Sequence, residues 1–352
     1  MKILVIGGTG YIGSHTVEEV ARRGHQVTVF VRGESPTQLP ESATLIKGDR
    51  HNAEDLAHAR SLGFDAVIDI NAYTREETQT VINAFDGTIS RFVHLSTMAV
   101  CRKESGLPVD EEDPLVTDPA AGYGYEKAEC ERALRWAHTK TGFPFVSVRP
   151  TGAYGPRDRK SRENYYLKRI TAGDPVIVPD SGAVPIFAIY VGDLVTVLAN
   201  ALEADGVAGA AYNISQPELI SVNKHISNIA QLAGEQADIV HVPSRLLERL
   251  GFNLYQFPYY SREHLIICNT QAVRRDLGYQ PTPYAHALAE TVRYFLERGP
   301  ESQPSLEDTL PPVMPRSRER DLADRYRREV ARLEDRLTDE WLNEALPNFS
   351  DE

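Results

Sequence analysis

Short runs of branched aliphatic residues alternate with amphipathic segments through the first 150 residues. Six runs predict β-strands, and four segments between them have the apolar spacing of helices. The predicted strands span residues 2–6, 26–31, 43–47, 66–70, 91–95 and 145–149, and the predicted helices span 11–23, 53–62, 76–85 and 124–140. This alternation is typical of a parallel sheet with helices on both faces. Because crossovers are right-handed, we expect an α/β fold with a doubly wound, Rossmann-type sheet.

The regular alternation breaks after Pro150. We expect a dinucleotide-binding domain over 1–150 and a smaller substrate lobe over 151–298, partly interleaved with it. The segment 299–315 is rich in Pro and Ser and predicts a linker.

A last segment, 316–346, is strongly charged but keeps one apolar face. It predicts an extra C-terminal amphipathic helix. The apolar residues on that face are Leu322, Tyr326, Val330, Leu333, Leu337 and Trp341. Two interpretations stay open, packing on its own domain and contact with a partner, including a homodimer.

Composition and charge narrow the class of protein. The 352 residues are 41% hydrophobic and carry a net charge of −12. This acidity disfavours a large nucleic-acid interface, which needs clustered cations. Three separated cysteines indicate neither disulfides nor zinc, and the histidines lack the spacing of metal ligands, so we expect no metal and a cytoplasmic location. The apolar run that begins the chain stops at Gly7, so we expect neither a signal peptide nor membrane insertion.

A glycine-rich turn follows the first predicted strand. Gly7, Gly10 and Gly13 allow a tight turn and close approach of the backbone to a pyrophosphate. The following helix, which begins near Tyr11 and Ile12, directs free N–H groups at the anion. The turn therefore predicts a dinucleotide-binding site.

The end of the second strand predicts which dinucleotide binds. An acidic residue at this position accepts hydrogen bonds from the ribose in NAD-specific proteins, but here the position is Arg32. A guanidinium suits a 2′-phosphate, so we expect NADP, with NAD as the alternative. A solvated surface charge is the other interpretation of Arg32. Asp49 and Arg50, after the third strand, are placed to meet the adenine.

A tyrosine and a lysine lie four residues apart at the start of a predicted helix. Tyr123 and Lys127 therefore share one helix face. The ammonium and a positive nicotinamide ring would lower the pKa of the Tyr123 phenol and make it an acid or base near neutrality. Tyr125 has no lysine at this spacing and is the poorer candidate.

Two hydroxyl side chains, Ser96 and Thr97, follow the fifth predicted strand. Ligands of open α/β sheets bind at this carboxyl edge. Either hydroxyl is placed to hydrogen-bond a substrate oxygen beside Tyr123. Capping of the strand end is the alternative role for each.

Together these motifs resemble the extended short-chain dehydrogenase/reductase family. The matching elements, in order, are the glycine turn, Leu95-Ser96-Thr97-x-x-Val100, Tyr123-x-x-x-Lys127 and Val148-Arg149-Pro150-x-x-x-Tyr154-Gly155-Pro156. The resemblance covers about residues 1–298. The segments 29–33, 48–50 and 69–73 look like the subgroup that contains the chloroplast stem-loop binding proteins.

The resemblance implies roles for these residues. Thr97 would position the substrate oxygen, Tyr123 would move the proton, and Lys127 would bind the nicotinamide ribose. Pro150 would border the nicotinamide, and Tyr154 would lie on the substrate side. A hydride would pass between the cofactor and a carbinol or ketone carbon.

Departures from the family pattern narrow the substrate. Met98 and Ala99 replace the Asp-Glu pair of the sugar dehydratases, and Ile186-Phe187-Ala188 replaces an Arg-Asp-Phe stretch. Arg262 is the candidate to contact a substrate phosphate in place of the missing arginine. We therefore expect an epimerase or reductase acting on a sugar-like small molecule, with or without a linked nucleotide. The alternative is a non-catalytic nucleotide- or RNA-binding protein that kept the fold.

Overall fold

Seven parallel strands form the central sheet in the described part of the protein. The computed structural model describes residues 1–33, 39–102, 106–260, 266–308 and 315–345. The strands are β1 Lys2–Ile6, β2 Gln26–Val31, β3 Thr44–Lys47, β4 Ala66–Asp69, β5 Arg91–Leu95, β6 Phe145–Pro150, β7 Gly152–Tyr154, β8 Val176–Pro179, β9 Ala188–Tyr190, β10 Ala210–Ile214 and β11 Ile239–Val242.

The helices lie between these strands and after them. They are α1 Tyr11–Arg22, α2 Ala53–Ser61, α3 Arg75–Phe85, α4 Tyr123–Thr141, α5 Arg162–Thr171, α6 Val191–Glu203, α7 Val222–Ala233, α8 Ser244–Arg249, α9 Gln271–Leu277, α10 Tyr284–Arg298 and α11 Arg316–Ala345.

The strand order is β10-β6-β5-β4-β1-β2-β3, and every neighbouring pair is parallel. The chain leaves β1 toward β2 and β3, then returns to the other side of β1 at β4. This reversal places a crevice at the carboxyl ends of β1 and β4. The predicted doubly wound, Rossmann-type sheet is therefore confirmed. The sequence pattern did not assign β10 to this sheet.

The sheet is apolar on both faces because helices cover both. On one face, Val5 and Val29 pack with Val17 of α1. On the other, Leu4 and Phe30 join a second cluster that includes residues of α2 and α3. Buried strands of this kind read as continuous apolar runs, which is why the sequence predicted most of them.

The chain folds into two compact units, each built from three segments. The first consists of Met1–Asp158, Phe187–Leu219 and Ser261–Thr291 and contains the large sheet. The second consists of Arg159–Ile186, Ile220–Tyr260 and Val292–Glu352 and contains the two-stranded sheet of β8 and β11.

The first half of α11 packs on the second unit. Leu322, Ala323 and Tyr326 join the apolar cluster around β8 and β11. Further along the helix, Leu333 and Leu337 are 44% and 51% exposed. The structure thus shows packing of the first half of this helix on its own unit, while Leu333 and Leu337 remain exposed. No helix in the described ranges is long and apolar enough to span a bilayer.

Residues 299–308, the described start of the segment predicted as a linker, are held against α5. They form short 3-10 turns at Pro300–Ser302 and Leu306–Asp308. The Asn164 side-chain amide on α5 donates to the carbonyl oxygens of Pro300, Gln303 and Pro304, each at 3.1 Å. Side-chain hydrogen bonds therefore order a segment whose composition alone indicated flexibility.

A fully buried ion pair joins α4 to β6. Both oxygens of Glu131 accept hydrogen bonds from the Arg149 guanidinium, at 2.9 and 2.6 Å, and neither side chain is exposed. Burial alone would raise the pKa of Glu131, but Arg149 outweighs it and holds that pKa below its usual range. Each buried charge is therefore stabilised by the other in place of water.

We expect the substitution Glu131→Ala to lower the free energy of unfolding by about 3 to 5 kcal/mol, because it leaves the Arg149 charge buried without a partner. Urea denaturation measures the change. The control is Arg75→Ala. Arg75 lies on α3, is half-exposed and pairs with Glu129, which lies on α4 as Glu131 does. This substitution should lower the free energy of unfolding by less than about 1 kcal/mol. Equal effects of the two substitutions would contradict this account.

Candidate active site

The glycine turn connects β1 to α1 by a path that side chains would block. Gly7 has a positive φ of 83°, and a Cβ there would lie 2.7 Å from the Asn71 side chain. A Cβ on Gly13 would overlap the Gly7 carbonyl oxygen, and one on Gly8 would lie 2.6 Å from Val29. Gly7, Gly8 and Gly13 are therefore required by the packing of the turn itself.

Gly10 has a different role from the other glycines. A Cβ there would lie 3.7 Å from its nearest neighbour, the Gly7 oxygen, so packing does not require glycine. Gly10 is the N-cap of α1 and supplies no side-chain cap to the helix. The N–H groups of Tyr11, Ile12 and Gly13 begin the helix without intrahelical acceptors. The turn therefore fits a pyrophosphate, which takes such donors.

A cleft of about 320 Å³ opens beside this turn at the carboxyl ends of β1, β2 and β3. Its lining includes Gly7, Arg32, Asp49, Arg50 and Tyr73. The structure thus brings Arg32, Asp49 and Arg50, which the sequence assigned to the adenosine end of a dinucleotide, to one cleft.

Arg32, which follows the end of β2, lines the cleft and is exposed. Beside it, the aliphatic part of the Lys47 side chain lies 3.1 Å from where a Gly33 Cβ would stand. Sequence reasoning missed Lys47, since it required the pairing of β2 with β3 to bring this residue beside Gly33.

Arg50 is committed to partners within the protein. Its guanidinium donates to both oxygens of Asp69, at 3.0 and 2.6 Å, and to Asn71 Oδ1 at 3.1 Å. Burial alone would lower the pKa of Arg50, but the Asp69 carboxylate raises it, and the net effect is a raised pKa. Arg50 therefore shapes the floor of the cleft, whereas Asp49 and Arg32 are less buried.

Tyr123 and Thr97 meet at the carboxyl edge of the sheet. Thr97 follows β5, Tyr123 is the first residue of α4, and the Thr97 side chain lies close enough to the Tyr123 phenol to influence its pKa. The Tyr123 side chain is 52% exposed. This pair can hydrogen-bond and exchange a proton with a ligand oxygen.

Gly124 permits this meeting. A Cβ at Gly124 would overlap the carbonyl oxygen of Ala99, in the 3-10 turn that follows Thr97. Only glycine lets the start of α4 approach that turn so closely. A glycine in the first turn of a helix was the available signal, and sequence reasoning missed it.

The expected lowering of the Tyr123 pKa is wrong for this structure. Burial of the phenol raises its pKa above the ordinary value, and the Tyr73 phenol adds to the rise. The two rings are 6.4 Å apart. The Thr97 side chain opposes the rise without reversing it. The Lys127 ammonium points into the protein interior and is not among the groups that shift this pKa.

Lys127 is 2% exposed and points into the protein interior. Its ammonium donates to the carbonyl oxygens of Ala72 at 2.8 Å and Leu95 at 2.6 Å, and lies 3.3 Å from His94 Nε2. Burial lowers its pKa from the usual value. These contacts anchor α4 to the ends of β4 and β5.

Ser96 and Thr97 have separate surroundings. The buried Ser96 hydroxyl donates to Glu131 at 2.6 Å, within the ion pair with Arg149. Thr97 is more exposed, and its Oγ1 also accepts from the Ala99 N–H at 3.2 Å. The geometry therefore favours Thr97 over Ser96 as the residue that faces a substrate.

The remaining candidates lie farther along the chain. Pro150 ends β6 and is buried. Tyr154 is 1% exposed, and its hydroxyl lies 3.3 Å from Gln216 Oε1, so the structure places it in the interior, which disfavours substrate contact. Arg262 lies outside the described residues.

Tyr73 and His94 are site residues that sequence reasoning did not select. A capping box orders the chain at Tyr73, since Glu77 accepts from the Tyr73 N–H at 2.6 Å and from the Thr74 N–H at 3.1 Å. The Thr74-x-x-Glu77 pattern was a readable signal. His94 gave none, because a histidine inside an apolar strand normally indicates only a buried side chain.

Comparison with known proteins shows the family to which the chain belongs. Residues 3–215 match the model of the NAD dependent epimerase/dehydratase family. The chain is 29% identical to the chloroplast stem-loop binding protein of 41 kDa b of Arabidopsis thaliana, over 80% of this chain and 75% of the relative. It is 26% identical to the UDP-glucose 4-epimerase of Corynebacterium glutamicum, over 80% of this chain and 91% of that protein.

A solved structure shares the fold. The UDP-glucuronic acid 4-epimerase from Bacillus cereus, in complex with UDP-glucuronic acid and NAD, aligns with a TM-score of 0.69 at 22% identity. The alignment covers 85% of this chain and all of that one, 100%. The resemblance found in the motifs, including that to the chloroplast stem-loop binding proteins, is confirmed, and the chain belongs to the NAD-dependent epimerase/dehydratase family of extended short-chain dehydrogenases/reductases.

Proposed function

We propose that the protein is an NAD(P)-dependent epimerase or reductase that acts at a hydroxyl or keto carbon of a sugar-like substrate. The observation that carries the proposal is the pair of Thr97 and Tyr123, whose side chains meet after β5 and at the start of α4. It lies at the carboxyl edge of the sheet that also carries the glycine turn. Proton transfer and dinucleotide binding thus belong to one edge of one sheet.

Tyr123 is proposed to exchange a proton with the substrate oxygen. Because burial raises its pKa, the phenol is protonated at neutral pH and is ready to donate when a ketone is reduced. Thr97 holds the same oxygen and keeps the phenol oriented. The bound nicotinamide supplies the hydride donor or acceptor.

Lys127 is proposed to fix α4 and to present a positive charge beneath the site. Its ammonium is held by the carbonyls of Ala72 and Leu95. The resemblance to the family implies that a ribose hydroxyl of the dinucleotide would also bind this ammonium. Lys127 would then hold the dinucleotide beside the start of α4, where Tyr123 lies.

The substrate class rests on the relatives. Two of them are named for reactions of nucleotide-linked sugars. We propose a sugar-like substrate, with a linked nucleotide as the first form to test. Met98 and Ala99, where the dehydratases have an acidic pair, favour epimerisation or reduction over elimination of water.

We expect Tyr123→Phe to lower kcat by about 100-fold or more, because the substitution removes the proton that reaches the substrate oxygen. Turnover is measured with keto and hydroxyl forms of nucleotide sugars and followed by nicotinamide absorbance. Tyr125→Phe is the matched control, since Tyr125 packs against a neighbouring apolar cluster two residues along the same helix.

Equal activity of the two variants would contradict the role of Tyr123. A wild-type protein that binds dinucleotide, turns over none of these sugars and binds stem-loop RNA with steep salt dependence would favour the non-catalytic alternative.

We also propose a preference for NADP, because Arg32 lines the cleft after β2 and the Lys47 side chain lies beside Gly33. Arg32→Asp should weaken NADPH binding by about tenfold or more and favour NADH, since it replaces a charged hydrogen-bond donor by an acceptor for ribose hydroxyls. Fluorescence titration measures both affinities. Arg60→Asp, an exposed arginine on α2, controls for net charge. Wild-type preference for NADH would contradict the proposal.

A further inference from the structure

Three acceptors surround the Lys127 ammonium, which has three protons to donate. Two are the carbonyl oxygens of Ala72 and Leu95, at 2.8 and 2.6 Å. The third is His94 Nε2, at 3.3 Å. We call these the Lys127 tripod. With all three in place, the ammonium has no proton left for a ligand.

His94 can accept this hydrogen bond because its ring is neutral. The side chain is fully buried on β5, and burial together with the charges of Lys127 and Arg50 holds its pKa well below the usual range. If Nε2 accepts from Lys127, the ring proton is on Nδ1. Nδ1 has no hydrogen-bond partner among the described residues.

The charges around Lys127 leave it without a carboxylate of its own. Arg50 precedes α2, Asp69 lies on β4, and Cys130 and Glu131 lie on α4. Asp69 is paired with Arg50. Glu131 is paired with Arg149. Within the described residues, the ammonium is therefore held by dipoles alone, and its charged form depends on the tripod.

The three contacts differ in strength. The two carbonyls give short hydrogen bonds. Leu95 ends β5 and pairs with Val148 in the sheet, and Ala72 lies three residues after β4. The His94 contact is longer by at least half an ångström and lacks a partner on its far nitrogen. It is therefore the contact that costs least to exchange.

We propose that His94 is a positioning residue for the reaction. Its Nε2 is the exchangeable third acceptor that holds the Lys127 ammonium until a ribose hydroxyl of the nicotinamide dinucleotide takes its place. The inference rests on the proposed function, because it requires that dinucleotide to bind above Lys127.

Two consequences follow from competition between His94 and the ribose. Without His94 Nε2, the third proton of the ammonium is unsatisfied until the dinucleotide binds, so binding becomes tighter at neutral pH. The ammonium is also less stable before binding. Loss of His94 Nε2 therefore lowers the pKa of Lys127 further. Because the charged lysine is lost as pH rises through this pKa, the affinity of the variant for the dinucleotide declines at a lower pH than that of the wild type.

The experiment is a fluorescence titration with NADPH and NADH at a series of pH values from neutral to alkaline. His94→Leu removes the acceptor, whereas His94→Gln keeps an acceptor oxygen. We expect His94→Leu to bind several-fold more tightly at neutral pH, with the alkaline midpoint lowered by about one pH unit. His94→Gln should resemble the wild type. Lys127→Met should abolish the midpoint, which assigns it to the lysine.

The outcomes separate this inference from the proposed function. Failure of the wild type to bind either dinucleotide would refute both. A second outcome is that the wild type binds dinucleotide while His94→Leu and His94→Gln show the same affinity change and the same midpoint. That result would refute the inference alone, because a packing role does not distinguish an acceptor from a methyl group.

A second measurement does not depend on the folding of a variant. Nitrogen-15 NMR of labelled wild-type histidines reports the protonation of each ring nitrogen. We expect a neutral His94 ring, protonated at Nδ1, whose Nε2 signal shifts when the dinucleotide is added. A protonated Nε2 before binding, or an unchanged signal after it, would overturn the inference.

Discussion

The buried ion pair of Glu131 and Arg149 is the constraint on which the site depends. It ties the middle of α4 to β6, and Ser96 joins it from the end of β5. Thr97 is the next residue, so its position follows from the same network. The close contact of Gly124 with Ala99 then sets the start of α4. A helix fixed at both points presents Tyr123 to Thr97 with little freedom left to the pair.

The two buried cations of the site, Arg50 and Lys127, are stabilised in different ways. Arg50 has a carboxylate partner in Asp69, and each stabilises the other. Lys127 is as deeply buried but is held only by carbonyls and a neutral imidazole. A buried ammonium without a counter-ion is costly for stability, and a ligand that replaces its weakest acceptor can stabilise the charge. The folded chain thus keeps one exchangeable hydrogen bond, from Lys127 to His94, at the place where chemistry is expected.

The sequence predicted the parts of this structure that depend on local pattern. The strands through β6, the glycine turn and the tyrosine-lysine spacing all follow from periodicity or from backbone geometry. Contacts between residues far apart in the chain could not be predicted from local pattern. Ser96 donates to Glu131, which lies 35 residues later, and Arg50 pairs with Asp69 on β4, which lies 19 residues later. The raised pKa of Tyr123 depends on Tyr73 and on burial, and neither can be read from spacing along a helix.

The central claim is that hydride and proton reach one substrate carbonyl at this edge of the sheet. The most direct test offers keto forms of nucleotide sugars to the protein together with a reduced dinucleotide deuterated at the transferable position of its nicotinamide. Mass spectrometry then locates the label. The account predicts deuterium on the new carbinol carbon of the product, for a reductase and for the second half of an epimerisation alike. Product that forms without deuterium would contradict it, as would retention of all label in the cofactor with every keto sugar.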